Sequence, residues 1–135
     1  MLDYNKFIKE EVYNMACRVG GLAVNRIDKT QINNHKTQIN NLLEIFKGDP
    51  EEAAKVLMLY ITRQSKRGEI EEDVAKQLVS DIYKIFNSFK NNKRELEEAI
   101  RMYLVLFKWV FESKIGDRNQ DFQKFINNFI GGRAR

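Results

Sequence analysis

Gly48-Asp49-Pro50-Glu51-Glu52 holds the end of one helix and the start of the next within five positions. A glycine terminates, an aspartate caps, a proline occupies N1, and acids follow in the first turn. From there to Gly68 apolar residues recur at helical spacing. At about 100° per residue, Ala54, Leu57, Met58 and Ile61 share one side, while Lys55, Arg63, Lys66 and Arg67 share roughly a third of the circumference opposite. No acidic residue lies between Glu52 and Glu69. A helix with one apolar and one basic edge can dock on a protein body and offer cations to an anion, most commonly a nucleic acid. An exposed helix end whose bases complement its own dipole carries the same charges.

Working outward, every other segment repeats the helical period. Asp3 is positioned to cap a first helix with Phe7, Ile8, Val12, Met15, Ala16 and Val19 on one face, which Gly20-Gly21 loosens or ends. Thr30 is placed to cap a second helix built on Ile32, His35, Ile39, Leu42, Leu43 and Phe46 and closed by Gly48. Beyond Gly68, Ile70, Val74, Leu78, Ile82, Ile85, Phe86 and Phe89 predict a fourth helix ending at Asn91-Asn92. A fifth runs from Leu96 through Phe111 to Gly116, and a last, shorter one holds Phe122, Phe125, Ile126, Phe129 and Ile130. Sustained period-two alternation is missing. The expectation is an all-α, single-domain chain over residues 1–135, a compact bundle of about six helices.

Tyr103–Phe111 is apolar except for Lys108, so its helix belongs at the bundle centre or in a subunit contact. Trp109 and Phe111 lie on different faces from Phe107, which places at least one aromatic near a partner. Nine helical residues rise about 14 Å, short of the roughly 30 Å of a bilayer. With charges spread through Met1–Asn25 there is no signal-peptide pattern, and a cytoplasmic, membrane-free protein is expected.

The chain has 135 residues, a net charge of +4 and a pI near 9.2, which permits nucleic-acid binding without demanding it. Eleven bases face eight acids up to Gly68, against twelve and eleven after it, so the excess sits in the first half. The single cysteine, Cys17, sits in an apolar stripe and reads as a small core residue. His35, the only histidine, falls on an apolar face and reads as packed rather than catalytic. Metal-ligand spacing and a nucleotide-cradling glycine loop are both missing. The pairs Glu10-Glu11, Glu51-Glu52 and Glu71-Glu72 point about 100° apart on a helix and do not converge on one atom. No enzyme, cofactor or metal is expected.

Lys29-Thr30-Gln31-Ile32-Asn33-Asn34 recurs seven residues on as Lys36-Thr37-Gln38-Ile39-Asn40-Asn41. That step keeps both isoleucines on one helix face and leaves an amide-rich side of Asn33, Asn34, Thr37, Asn40 and Asn41. Amide and ammonium donors suit phosphate oxygens and 2′-hydroxyls and read no base.

Thr30-Gln31-Ile32 after the short Arg26–Lys29 loop resembles the Thr-Gln-Ile-Arg-like helix start in the small helical subunit of type III-A CRISPR effector complexes. Leu57–Arg67, with Tyr60 and Arg63, resembles that family's Leu-x-Tyr-x-x-x-Arg-like element. Glu98-Ala99-Ile100-Arg101-Met102-Tyr103 resembles its Glu-Ala-(aliphatic)-x-Ala-Tyr element, with Met102 for alanine. The order of these elements over residues 15 to 110 carries the resemblance. Asn33 stands where the family has arginine, so that contact is missing or displaced to Lys36, and the segment after Gly116 is longer. The resemblance implies a non-catalytic subunit, several copies of which touch the backbone of the crRNA–target RNA duplex and pack against neighbouring subunits.

Lys29, Lys36, Arg63, Lys66 and Arg67 are the residues expected to form one cationic, RNA-binding surface. Partners would be crRNA, target RNA, other effector subunits, and further copies of the chain, as a homodimer when isolated. Three alternatives stay open: the equivalent type III-B subunit, a helical adaptor or dimerisation module without a nucleic-acid role, and a helix-turn-helix DNA-binding protein.

Overall fold

The computed structural model describes residues 4–132. The Asp3 cap, the Ile8 side chain and the tail past Gly132 lie outside the described residues. α1 (Tyr4–Phe7), a π-helical segment (Ile8–Val12) and α2 (Tyr13–Arg26) follow one another without a break. A single 3₁₀ turn (Lys29–Gln31) leads into α3 (Ile32–Ile45), then come α4 (Pro50–Lys66), α5 (Glu72–Phe89), α6 (Lys93–Ser113) and α7 (Phe122–Ile130). Six helical rods result, and no strand occurs among the described residues.

α6 is the hub, packed against α2, α3, α4 and α5. Tyr103, Leu104 and Phe107 are buried to 1 % exposure or less, and each such apolar side chain contributes on the order of 2 kcal/mol by leaving water. Phe111, at 5 %, joins this core, whereas Trp109 remains 61 % exposed. The apolar run is therefore the bundle centre, and of its two off-face aromatics only the tryptophan is left to solvent.

The boundaries around α4 follow the sequence closely. Asp49 Oδ2 accepts from Glu52 N at 3.2 Å, Pro50 is the first helical residue, and Gly48 and Gly68 take φ of +87° and +76°. Asn92 Oδ1 caps α6 through Glu95 N at 3.1 Å. Three boundaries differ. Asp28, not Thr30, is the cap: its Oδ1 accepts from Thr30 N at 3.2 Å, which makes a 3₁₀ turn before α3. Ile70 is buried in the turn ahead of α5, whose own cap is Glu71, accepting from Val74 N at 3.0 Å. α6 ends on Lys114, in the left-handed region at φ +61°, rather than on Gly116.

Gly20-Gly21 neither loosens nor ends α2, which continues to Arg26. These glycines serve close approach. A Cβ on Gly20 would lie 2.5 Å from Val110 Cγ1 of α6, and one on Gly116 would lie 2.7 Å from the carbonyl oxygen of Gly21. Overpacking of this kind costs about 1–3 kcal/mol. Gly20→Ala is accordingly expected to lower the unfolding free energy by that amount and the urea midpoint with it, although alanine is the better helix former; an unchanged or raised midpoint would refute the contact.

Candidate nucleic-acid interface

α3 is held against the α4–α5 turn by polar contacts. His35 is buried, and its Nε2 accepts from the Glu71 backbone N–H at 3.2 Å. Because that N–H can only donate, Nδ1 carries the ring proton and donates to Gln31 O at 2.9 Å. His35 is thus a neutral structural residue, as its place on the apolar face suggests. Asn34 Nδ2 donates to Glu69 Oε2 at 3.0 Å. Gln38, also buried, accepts from Tyr60 Oη at 3.2 Å and Gln64 Nε2 at 3.0 Å. Asn34 therefore leaves the expected amide face, while Asn33, Thr37 and Asn40 remain exposed on it.

The five cations divide. Lys29 and Lys36 line a groove of about 450 Å³ whose floor is Val24, Ile27, Ile32 and Phe111 and whose far rim carries Glu112 and Lys114. Lys66 lines a second groove, about 350 Å³, between α4 and α5, together with Lys76 and the exposed ring of Tyr83. Arg63 and Arg67 are exposed along α4. Asn34 and Lys36 are two residues apart, about 200° on a helix, so the α3 lysine points away from the flank that meets α4. The cations do not share one groove: Lys29 and Lys36 border one beside α2, α3 and α6, and Lys66 borders another between α4 and α5. Lys114 and Tyr83 join them; neither had a signal in the linear pattern, because each reaches its groove from a different helix.

All five residues share one electrostatic property. None has a carboxylate within ion-pair distance among the described residues, a property shared by Arg18, Lys47, Lys90, Lys108, Lys114, Arg118 and Lys124, whereas Arg26, Lys55, Lys76, Lys84, Lys93, Arg94 and Arg101 are paired. Lys55, which shares the basic edge of α4, is held by Glu52 at 3.7 Å. Arg101, in the element resembling the family's Glu-Ala motif, reaches inward: its guanidinium donates to Phe46 O at 2.9 Å and lies over the Phe46 ring.

Titratable groups elsewhere are tied into the fold. Cys17 is buried, and desolvation, with Asp121 nearby, pushes its thiol up to about 12, so it stays protonated. Asp81 is buried and accepts from Tyr103 Oη at 2.6 Å and Gln77 Nε2 at 2.8 Å. Of the acidic pairs, Glu11 holds Lys84, Glu52 holds Lys55, Glu72 holds Lys76, and Glu71 caps α5. Among the described residues no group of three or more His, Cys, Asp or Glu could hold a metal ion, and no helix is long and apolar enough to cross a membrane. Compared with protein-family models, curated proteins and solved structures, the chain matches none.

Proposed function

We propose that the chain is a non-catalytic small subunit of a type III-A CRISPR RNA-guided complex in the cytoplasm, holding the crRNA–target RNA backbone and neighbouring subunits. The observation that carries this reading is the set of exposed or half-exposed cations, Lys29, Lys36, Arg63, Lys66 and Arg67, left without carboxylate partners around α3 and along α4, where Lys55 is the paired base. Unpaired ammonium and guanidinium groups can release counterions from phosphates without first breaking an internal pair. Set against phosphates rather than base edges, they leave sequence choice to guide–target pairing. The succession of elements from Thr30 to Tyr103 that resembles the type III-A subunit supplies the rest. Recovery with the type III-B partner set instead would shift the assignment within the class.

The test is RNA affinity against salt. The isolated chain should bind single-stranded RNA weakly, with log K falling by about 0.7 per neutralised phosphate for each decade of salt. Arg63→Ala combined with Arg67→Ala should flatten that slope by about 1.4 and weaken binding on every sequence alike. Unchanged affinity in the double variant rejects the α4 patch. Better binding to an operator-like DNA duplex than to RNA would favour the helix-turn-helix alternative.

A second reading, a helical adaptor without a nucleic-acid role, is favoured by the exposed Trp109, Phe129 and Ile130. It expects associations insensitive to nuclease and to salt.

A further inference from the structure

α7 leaves the C-terminal end of its apolar side outward, while Phe125 and Ile126 are half-buried. Phe122, Phe125, Ile126, Phe129 and Ile130 gather on one face of the helix, yet the buried residue of α7 is Asn128, whose Nδ2 donates to Asp117 Oδ2 at 3.1 Å. The helix is fastened by polar groups and one ring contact: Phe122 N donates to Asn14 Oδ1 at 3.0 Å, Lys124 Nζ donates to Arg118 O at 2.9 Å, and the Phe122 ring lies 5.8 Å from that of Tyr13. Phe129 and Ile130 remain 67 % and 76 % exposed. Beside them a groove of about 220 Å³ opens between α2, α6 and α7, with Trp109 and Phe122 on its rim and Leu106 and Cys17 within.

We propose that two copies of the chain associate through this face, the Phe129–Ile130 ridge of each copy seating in the α2–α6–α7 groove of the other. Three observations select a second copy as the occupant. The patch holds both a ridge and a groove, as a two-fold contact between identical surfaces requires. The only charged residue of α7 is Lys124, on the opposite side and engaged with Arg118 O, so closure of the patch on itself buries no unpaired charge. Taking about 150–250 Å² per aromatic side chain, the exposed parts of Trp109, Phe122, Phe129 and Ile130 offer roughly 500 Å² on each copy. Two such faces bury about 1,000 Å², the lower limit for a specific but weak dimer. The apolar face offers nothing to a phosphate backbone. The association is independent of RNA binding.

Sedimentation of the full chain tests it. The wild type should pass from monomer to dimer with a dissociation constant in the micromolar range. The emission of Trp109, the single tryptophan, should shift to the blue over the same concentrations. Phe129→Glu and Ile130→Lys, both at exposed positions, should keep the helical spectrum and weaken association by about tenfold or more. A wild type that stays monomeric to millimolar concentration overturns the proposal. So does a dimer that survives both substitutions, since its interface would then lie elsewhere.

Discussion

Gln120→Ala should destabilise the fold by about 3–5 kcal/mol, the largest effect expected of any single substitution outside the apolar core. Gln120 is 0 % exposed although it is polar and sits in a loop. Its Nε2 donates to Cys17 O and Ile115 O, each at 3.1 Å, and its Oε1 accepts from Asp117 N at 3.2 Å. One side chain therefore satisfies three backbone groups and ties the loop after α6 to α2. Truncation takes that partner from Ile115 O and Asp117 N in the loop, at about 1–3 kcal/mol for each one that stays dry, leaves Cys17 O with its bond inside α2 alone, and opens a cavity beside Gly21. Gln120→Glu removes both donors and sets a carboxylate against two carbonyl oxygens, so it should fare no better. Gln123→Ala, at an exposed position, should change stability by less than about 0.5 kcal/mol. Urea unfolding followed by far-ultraviolet circular dichroism and by Trp109 emission checks this. A loss under about 1 kcal/mol for Gln120→Ala would mean that water replaces the amide at little cost.

The part of this fold written locally was legible. Asp49-Pro50, Gly48, Gly68 and Asn92 act within a turn of themselves, and each marks its boundary as the sequence suggests. The misread positions are those whose role depends on a distant element. Gly20-Gly21 looks like a break because a glycine chosen for its φ and one chosen for lack of a Cβ are the same letter; only the approach of Val110 separates the two. Lys114 takes the left-handed conformation that Gly116 seemed made for, because Gly116 is needed against Gly21 O. The basic edge of α4 was legible as a stripe. Whether its cations are free depended on where Glu52, Glu69 and Glu72 fall, and that Lys29 and Lys36 border a different groove from Lys66 depended on how α3 packs. The outward face of α7 was hidden for a related reason: an amphipathic pattern tells which side is apolar but not what covers it. The Asn128–Asp117 bond, the Asn14–Phe122 bond and the Phe122 ring on Tyr13 hold that orientation by contacts that no periodicity encodes.

Tyr103→Phe should cost about 2–3 kcal/mol near neutral pH and less in acid, with the difference traceable to Asp81. Tyr103 is 0 % exposed and donates to Asp81 Oδ2 at 2.6 Å, while Gln77 donates to Oδ1. Burial pushes the Asp81 carboxyl above its usual range, and the bonds from Tyr103 and Gln77 draw it partly back down. Burial also holds the Tyr103 hydroxyl protonated, since its own titration is raised by desolvation and by the neighbouring carboxylate. An acid whose pKa is higher folded than unfolded binds more protons in the folded state. Stability due to Asp81 therefore rises as pH falls toward the unfolded carboxylate range and levels off below it. Removing the tyrosine hydroxyl takes a donor from the ionised form, worth about 1.5–3 kcal/mol for a bond to a charged group, and lifts the Asp81 pKa further. The deficit of the variant is complete above that raised pKa and shrinks once the carboxyl is protonated. Asp81→Asn, which keeps an acceptor for Tyr103 Oη without the buried charge, should be as stable as wild type or more so near neutral pH and should lose the acid-dependent gain. Unfolding free energies at neutral pH and near pH 4 for the three proteins decide the matter: a Tyr103→Phe deficit that stays constant with pH would show that Asp81 is already neutral in the native bundle.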